Sequence, residues 1–128
     1  QYEHAHNKND LALTEQIVAE LYPEYSEAFC KVMGGTKLHI FNMFVMKKEK
    51  FDEYCQWLFT ILFELEKRID ISSYSQYEAR VFGFLSERLL NVWLEKQKLK
   101  VKGIDVVFLE KIDWFDKGMK FLKRKFRG

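Results

Sequence analysis

Residues 48–69 have the longest uninterrupted helical pattern in the sequence. Apolar side chains recur there every three or four residues, the spacing that places them on one face of an α-helix. They are Phe51, Tyr54, Cys55, Leu58, Ile61, Leu62 and Leu65. A second pattern of this kind runs from Val81 to about Lys98, after Ser75 and Glu78 at the spacing of a capping box. Because two long amphipathic helices must bury their apolar faces, we expect a packed, helix-rich domain.

The chain before residue 48 predicts two shorter helices. Asn9 or Asp10 can cap a first helix by accepting hydrogen bonds from its free N–H groups. Pro23 ends that helix and favours the start of another. Gly34 and Gly35 end the second helix. These elements predict a helix–turn–helix corner at the start of the domain.

Two segments lack helical periodicity and are rich in aromatic and β-branched residues. Residues 37–46 (KLHIFNMFVM) and 104–109 (IDVVFL) are short apolar runs that follow glycines, and the first is bounded by charged residues on its other side, a pattern typical of buried strands. With a last helix from Trp114, the sequence predicts an α/β, helix-rich fold of about two strands and five helices. Two strands cannot form a stable sheet alone. We therefore expect residues 1–128 to be a single partial domain that completes a larger sheet.

The composition excludes several classes of protein. Aromatic residues make up 16% of the chain and hydrophobic residues 48%, so the sequence is not that of a disordered segment. No apolar run approaches the ~20 residues that span a bilayer. Cys30 and Cys55 lie among apolar helical positions and are predicted to be buried free thiols. Unpaired cysteines favour a reducing compartment, and hence the cytoplasm.

Positive charge is concentrated in residues 113–128. This segment has six basic and two acidic residues, a net charge of +4, whereas the remaining 112 residues have a net charge of −2. Its apolar residues Phe115, Met119, Leu122 and Phe126 form one stripe of a predicted basic amphipathic helix. Such a helix suits the surface of an anionic membrane; alternatively, the stripe packs on the domain while the lysines are solvated. A nucleic-acid partner is not expected, because no basic stripe with interleaved aromatic residues exists outside this tail.

Three stretches resemble the C-terminal half of a bacterial family of unknown function: PEYSEAFCKVM, FNMFVMKKEKFDEYCQWLFTILFELEKRIDIS and RVFGFLSERLLNVWLEK. That family occurs in capsular and exopolysaccharide gene clusters and is regarded as glycosyltransferase-like, with the nucleotide-sugar fold called GT-A. The resemblance extends from about Tyr2 to Phe126. It implies transfer of a sugar from a nucleotide-sugar donor to a growing glycan, free or lipid-linked, in the cytoplasm or at the inner face of the membrane.

The sequence also departs from the pattern of that family. GT-A domains begin with a donor-binding half that usually has an Asp-x-Asp metal motif, and no Asp-x-Asp occurs here. No histidine follows His39, so the late histidine of many metal-dependent GT-A enzymes is absent as well. We therefore expect the C-terminal part of a glycosyltransferase, with the donor-binding half as its missing partner, no metal site and no activity alone. The alternative is a non-catalytic helical scaffold or interaction module.

Most of the candidate site residues lie in the segment RVFGFLSERLL. Arg80, Gly83 and Glu87 fall at i, i+3 and i+7, on one stripe of the predicted helix. A glycine inside a helix costs ~1 kcal/mol relative to alanine, which usually indicates close approach of a backbone or a ligand. Glu87 is the candidate catalytic residue, because it could orient or deprotonate an acceptor hydroxyl, and Arg80 or Arg88 could pair with a diphosphate. The alternative is a structural salt bridge in a packed helix pair.

Asn42 and His6 complete the candidate substrate-binding residues. Asn42 lies in the middle of the predicted strand, and the resemblance implies that this point borders the substrate pocket. Its amide could bind a sugar hydroxyl or satisfy the backbone of a neighbouring loop. His6 resembles a family position, and it alternates with His4 as His-x-His. Two imidazoles are too few to hold a metal, and the alternative is a pair of flexible terminal histidines.

Overall fold

Four α-helices dominate the part of the chain that the computed structural model describes, residues 8–36, 38–39 and 41–107. They are α1 (Lys8–Leu21), α2 (Ser26–Gly34), α3 (Lys48–Arg68) and α4 (Val81–Gln97). Short 3-10 turns, Pro23–Tyr25 and Glu78–Arg80, lead into α2 and α4. The four helices that the sequence predicts before residue 98 are therefore confirmed.

The predicted capping box is confirmed before α4. The backbone N–H of Ser75 donates to Oε2 of Glu78 at 2.9 Å, and the backbone N–H of Glu78 donates to Oγ of Ser75 at 3.3 Å. These bonds satisfy two backbone donors where the polar loop turns into the helix. The carboxylate of Glu78 also accepts from the Ser75 hydroxyl, and these hydrogen bonds hold its pKa below the ordinary value.

The predicted α/β class, half of a GT-A-like domain with about two strands, is wrong. The described residues are 68% helical and contain no strand. Residues 41–47 and 101–107 are irregular instead. Phe41 has a φ of 76°, which interrupts the extended backbone that a strand requires. The remainder of the second predicted strand and the predicted helix of the tail lie outside the described residues.

The hydrophobic core lies where the helices meet. α2 packs against α4, α1 against α3, and α3 against α4. The rings of Tyr54 and Trp93, both almost fully buried, lie 5.4 Å apart between the two long helices. Tyr25 stacks on Trp57 at 4.8 Å, which attaches the start of α2 to α3. The apolar periodicity of the sequence therefore identifies most of the core correctly.

Three buried polar groups in this core differ in their hydrogen bonding. The Asp10 side chain, 4% exposed, accepts a hydrogen bond from the Tyr74 hydroxyl at 2.6 Å, which ties the loop before α4 to α1. The hydroxyl of Tyr54 and the indole N–H of Trp57 are buried without a hydrogen-bond partner among the described residues. Burial raises the pKa of Tyr54, because the ionised phenolate would lose its hydration.

Two further predictions concern the cysteines and the membrane. Both cysteines are free, as predicted, but their predicted burial is wrong: Cys30 is exposed and Cys55 is half-buried. α2 buries the face of Ala28 and Phe29, and this leaves Cys30 on the outer side. None of the described helices is long and apolar enough to cross a membrane.

Candidate functional site

Asn42 contacts α4 at Gly83. Its side-chain Nδ2 donates to the backbone carbonyl of Gly83 at 3.3 Å, although 41 residues separate the two positions in the chain. The prediction that Asn42 lies on a buried strand is wrong, because the residue is exposed in a bend. The two segments that contain the candidate residues nevertheless meet here.

The side-chain position of Gly83 has no close neighbour outside its own helix among the described residues. A Cβ atom added at this position would have no neighbouring atom within 4 Å outside its own helix. Within the described residues, no close backbone therefore requires a glycine, although glycine weakens a helix interior by ~1 kcal/mol relative to alanine. Of the two reasons for a glycine at this position, the described residues show no packed backbone, and they leave room for a ligand at Gly83.

Aromatic and cationic groups lie close to Gly83 in the sequence and contact one another. The guanidinium of Arg80 lies over the ring of Phe84, with Cζ 5.2 Å from its centroid, and the ring of Tyr77 lies 5.2 Å from that of Phe84. A cation over an aromatic ring is attracted by the face of that ring, and a guanidinium has five N–H donors with which to bind an acceptor. We call Asn42, Tyr77, Arg80, Gly83 and Phe84 the Gly83 surface.

Glu87 lies one helical turn beyond Gly83 and is half-buried. Its carboxylate forms no ion pair with any described residue, so the predicted alternative of a structural salt bridge is not seen for it. Arg88 is also half-buried and lies about 140° around the helix from Gly83. The structure therefore groups Glu87 with Arg80 and Gly83 and places Arg88 on another side of α4. His6 lies outside the described residues.

Asn91, which the sequence analysis did not single out, connects this region to the segment before α3. It is 7% exposed, and its Oδ1 accepts from the backbone N–H of His39 at 2.8 Å. Its Nδ2 donates to the carbonyls of His39, at 3.0 Å, and Glu87, at 2.7 Å. The signal in the sequence is an amide between Leu90 and Val92, on the apolar face of the helix. Such a buried amide needs partners.

One family model matches residues 1–98, and its description is Domain of unknown function (DUF4422). The chain belongs to the DUF4422 family. The match includes all four helices and every residue of the Gly83 surface. No curated protein and no solved structure matches the chain.

A cleft of ≈ 480 Å³ opens beside Asn91 in this DUF4422 chain. Its lining is mostly apolar and includes one imidazole, one carboxylate and one ammonium group: Val32, Leu38, His39, Asn91, Leu94, Glu95, Lys98, Leu99 and Val101. Lys31 forms an ion pair with Glu95 at the edge, and this pairing raises the pKa of Lys31. In the described part of the chain, no three His, Cys, Asp or Glu side chains are grouped to hold a metal ion.

Proposed function

We propose that this DUF4422 chain is the acceptor-side part of a glycosyltransferase of bacterial capsular or exopolysaccharide biosynthesis. In this proposal the Gly83 surface binds the acceptor glycan. The observation that supports it is that no described atom crowds a Cβ at Gly83, which the Asn42 amide contacts and near which Arg80, Phe84 and Tyr77 follow one another in contact. Aromatic faces can pack against the C–H faces of sugar rings, and Asn and Arg side chains can hydrogen-bond their hydroxyls.

Each polar group at this surface has a role in the proposed reaction. The Asn42 amide offers a carbonyl oxygen to a sugar hydroxyl while its nitrogen stays on Gly83. Glu87, one turn further along α4, would orient or deprotonate the acceptor hydroxyl as the general base. Arg80 would pair with a phosphate of a lipid-linked acceptor or of the nucleotide. Arg88 can act only on another side of the helix.

The rest of the enzyme belongs to the proposal as well. A nucleotide-sugar donor would be held by a separate donor-binding half, in the cytoplasm or at the inner face of the membrane. Residues 113–128, which lie outside the described residues, would contact anionic lipid through their basic side chains. A lipid-linked acceptor would then be presented close to the Gly83 surface.

A second candidate function is that of a non-catalytic helical interaction module. The stacked rings of Phe59 and Phe63 favour it, because 47% and 59% of these side chains are exposed on α3. Exposed aromatic residues of this kind often mark protein contacts. Glycan binding at the Gly83 surface predicts ligand effects on α4, whereas an interaction module predicts partner effects on α3.

The test is a titration of the isotope-labelled chain with capsular oligosaccharides, followed by NMR. We expect shifts at Asn42, Gly83 and Phe84, and a loss of binding in Arg80→Gln. Lys96→Gln is the matched control, because Lys96 also lies over an aromatic ring, that of Tyr25 at 5.8 Å, but away from this surface. Shifts confined to α3, or binding that Arg80→Gln leaves unchanged, would contradict the proposal.

A further inference from the structure

Arg80 has a positive charge that pairs with no carboxylate of the described residues. Its guanidinium is in none of their ion pairs and lies over the ring of Phe84, with Cζ 5.2 Å from the centroid. The carboxylate of Glu78, two residues earlier, binds the backbone N–H and the hydroxyl of Ser75 instead. The first turn of α4 contains no acidic residue. Within the described chain, the N–H donors of this cation are therefore available to a ligand.

Glu87 has the opposite charge on the same side of α4. Its carboxylate is likewise in no ion pair with a described residue. The spacing of seven residues places it about 10 Å from Arg80 along the helix axis. Gly83, which has no side chain, lies between the two. The stripe therefore presents a cation at one end and a carboxylate at the other.

We propose that the glycan bound at the Gly83 surface is acidic, with the carboxylate of a uronic acid unit on Arg80 and the reacting hydroxyl of another unit at Glu87. This inference rests on the proposed function and names its substrate class. A guanidinium suits a carboxylate, because two parallel N–H donors can bind its two oxygens. The opposite direction is disfavoured, because Glu87 repels a carboxylate. The distance from Arg80 to Glu87 exceeds one sugar ring, so the two groups belong to different units.

A phosphate of a lipid-linked acceptor offers the same oxyanion chemistry to Arg80, but it lies elsewhere along the glycan. It joins the lipid to the first sugar, at the end of the chain opposite the growing hydroxyl. Only in a short acceptor can this phosphate reach Arg80 while the hydroxyl is at Glu87. A uronic acid recurs in every repeat of an acidic glycan, so its carboxylate stays within reach as the chain grows.

A spin label tests the direction of the bound glycan. It is attached to the end of an acidic oligosaccharide that lies away from the growing hydroxyl. We expect it to broaden the NMR signals of the Tyr77 and Glu78 amides more than that of the Asn91 backbone amide, which lies one turn beyond Glu87. Stronger broadening at Asn91 would overturn this direction.

Matched glycans test the substrate class on the full chain. The probes are capsular oligosaccharides that contain uronic acid, and the same oligosaccharides with their carboxyl groups reduced to alcohols. In NMR titrations we expect the acidic form to bind about 3- to 10-fold more tightly, by a margin that shrinks as salt screens the charges. Arg80→Gln should remove this preference. Lys96→Gln, which removes the cation over the Tyr25 ring, should keep it.

The outcomes separate this inference from the proposed function. If neither form shifts the signals of Asn42, Gly83 and Phe84, glycan binding itself is contradicted, and the inference fails with it. Equal binding of the two forms, or a preference that Arg80→Gln leaves unchanged in a variant with a normal melting temperature, would overturn the inference while glycan binding stands. Tighter binding of a phosphorylated neutral oligosaccharide than of the acidic form would assign Arg80 to a phosphate and overturn the carboxylate.

Discussion

The side chain of Asn91 holds the backbone of His39 at both its N–H and its carbonyl, at 2.8 and 3.0 Å. A primary amide has the same donor and acceptor as a peptide group, so Asn91 takes the place of a neighbouring strand. In this segment, which has the composition of a strand, the backbone hydrogen-bonding groups of His39 are thereby satisfied by a side chain on a helix. Three residues later, Asn42 reaches the carbonyl of Gly83. Asn91 thus positions one edge of the Gly83 surface.

Replacing this amide should release the segment before α3. Asn91→Leu keeps the volume but leaves the N–H and carbonyl of His39 without their partner, and we expect a loss of about 2 kcal/mol in the free energy of unfolding. Chemical denaturation measures this loss, and hydrogen exchange should rise at residues 38–47. Asn42→Ala is the control, because it removes only the exposed hydrogen bond from Asn42 to the Gly83 carbonyl. Unchanged exchange in Asn91→Leu would contradict this role.

Tyr74 should contribute to stability through the buried Asp10. Tyr74→Phe removes the donor 2.6 Å from Oδ1 of Asp10, and leaving a buried acceptor without this bond costs about 1–3 kcal/mol. Thermal melts at neutral pH measure the effect. Tyr22→Phe serves as the control, because it removes a tyrosine hydroxyl at a half-buried position of the same domain. Equal melting temperatures for the two variants would argue against a structural role for the Tyr74–Asp10 bond.

Tyr54 should make the fold sensitive to alkaline pH. Its pKa is raised by burial, so above pH ~10 the unfolded chain ionises while the folded chain stays protonated. Stability is therefore complete below that pH and falls as the pH rises above it. Tyr54→Phe removes an unsatisfied hydroxyl, and we expect neutral-pH stability to stay equal or rise, with a smaller alkaline loss.

Denaturant titrations between about pH 8 and 11 distinguish the outcomes. Burial also raises the pKa of Tyr25, so part of the alkaline loss should remain in Tyr54→Phe. An alkaline loss as large as that of the wild-type chain would show that Tyr54 does not cause it.

Binding of the chain to membranes should depend on residues 113–128. If residues 113–128 contact lipid, the full chain should sediment with anionic vesicles, release them as salt screens the charges, and lose binding when the tail is deleted. Neutral vesicles are the control. Binding that persists without the tail, or none at low salt, would leave the basic residues as a solvated surface.

Helical elements were predictable from the sequence, whereas the loops that form the site were not. The periodicity of α3 and the breaks at Pro23 and Gly34 depend on local spacing and backbone geometry, which one sequence contains. Residues 38–39 and 41–46 were predicted wrongly as part of a strand, because the backbone at His39 depends on a partner 52 residues away, Asn91 on α4. Arg80, Gly83 and Glu87 could be grouped because they share one helix. The contact between Asn42 and Gly83 could not be predicted, because it follows a residue with positive φ, Phe41, which the sequence pattern does not indicate.

Substitution of Gly83 tests the central claim most directly, because stability and binding should change in opposite directions. Gly83→Ala fits without a clash, so it should raise the free energy of unfolding by about 0.5–1 kcal/mol. The same methyl group occupies the proposed glycan site, and the affinity for capsular oligosaccharide measured by NMR titration should fall. Gly34→Ala, at the equally open end of α2, should leave that affinity unchanged. A Gly83→Ala chain that binds glycan as well as the wild-type chain would contradict a glycan site at Gly83.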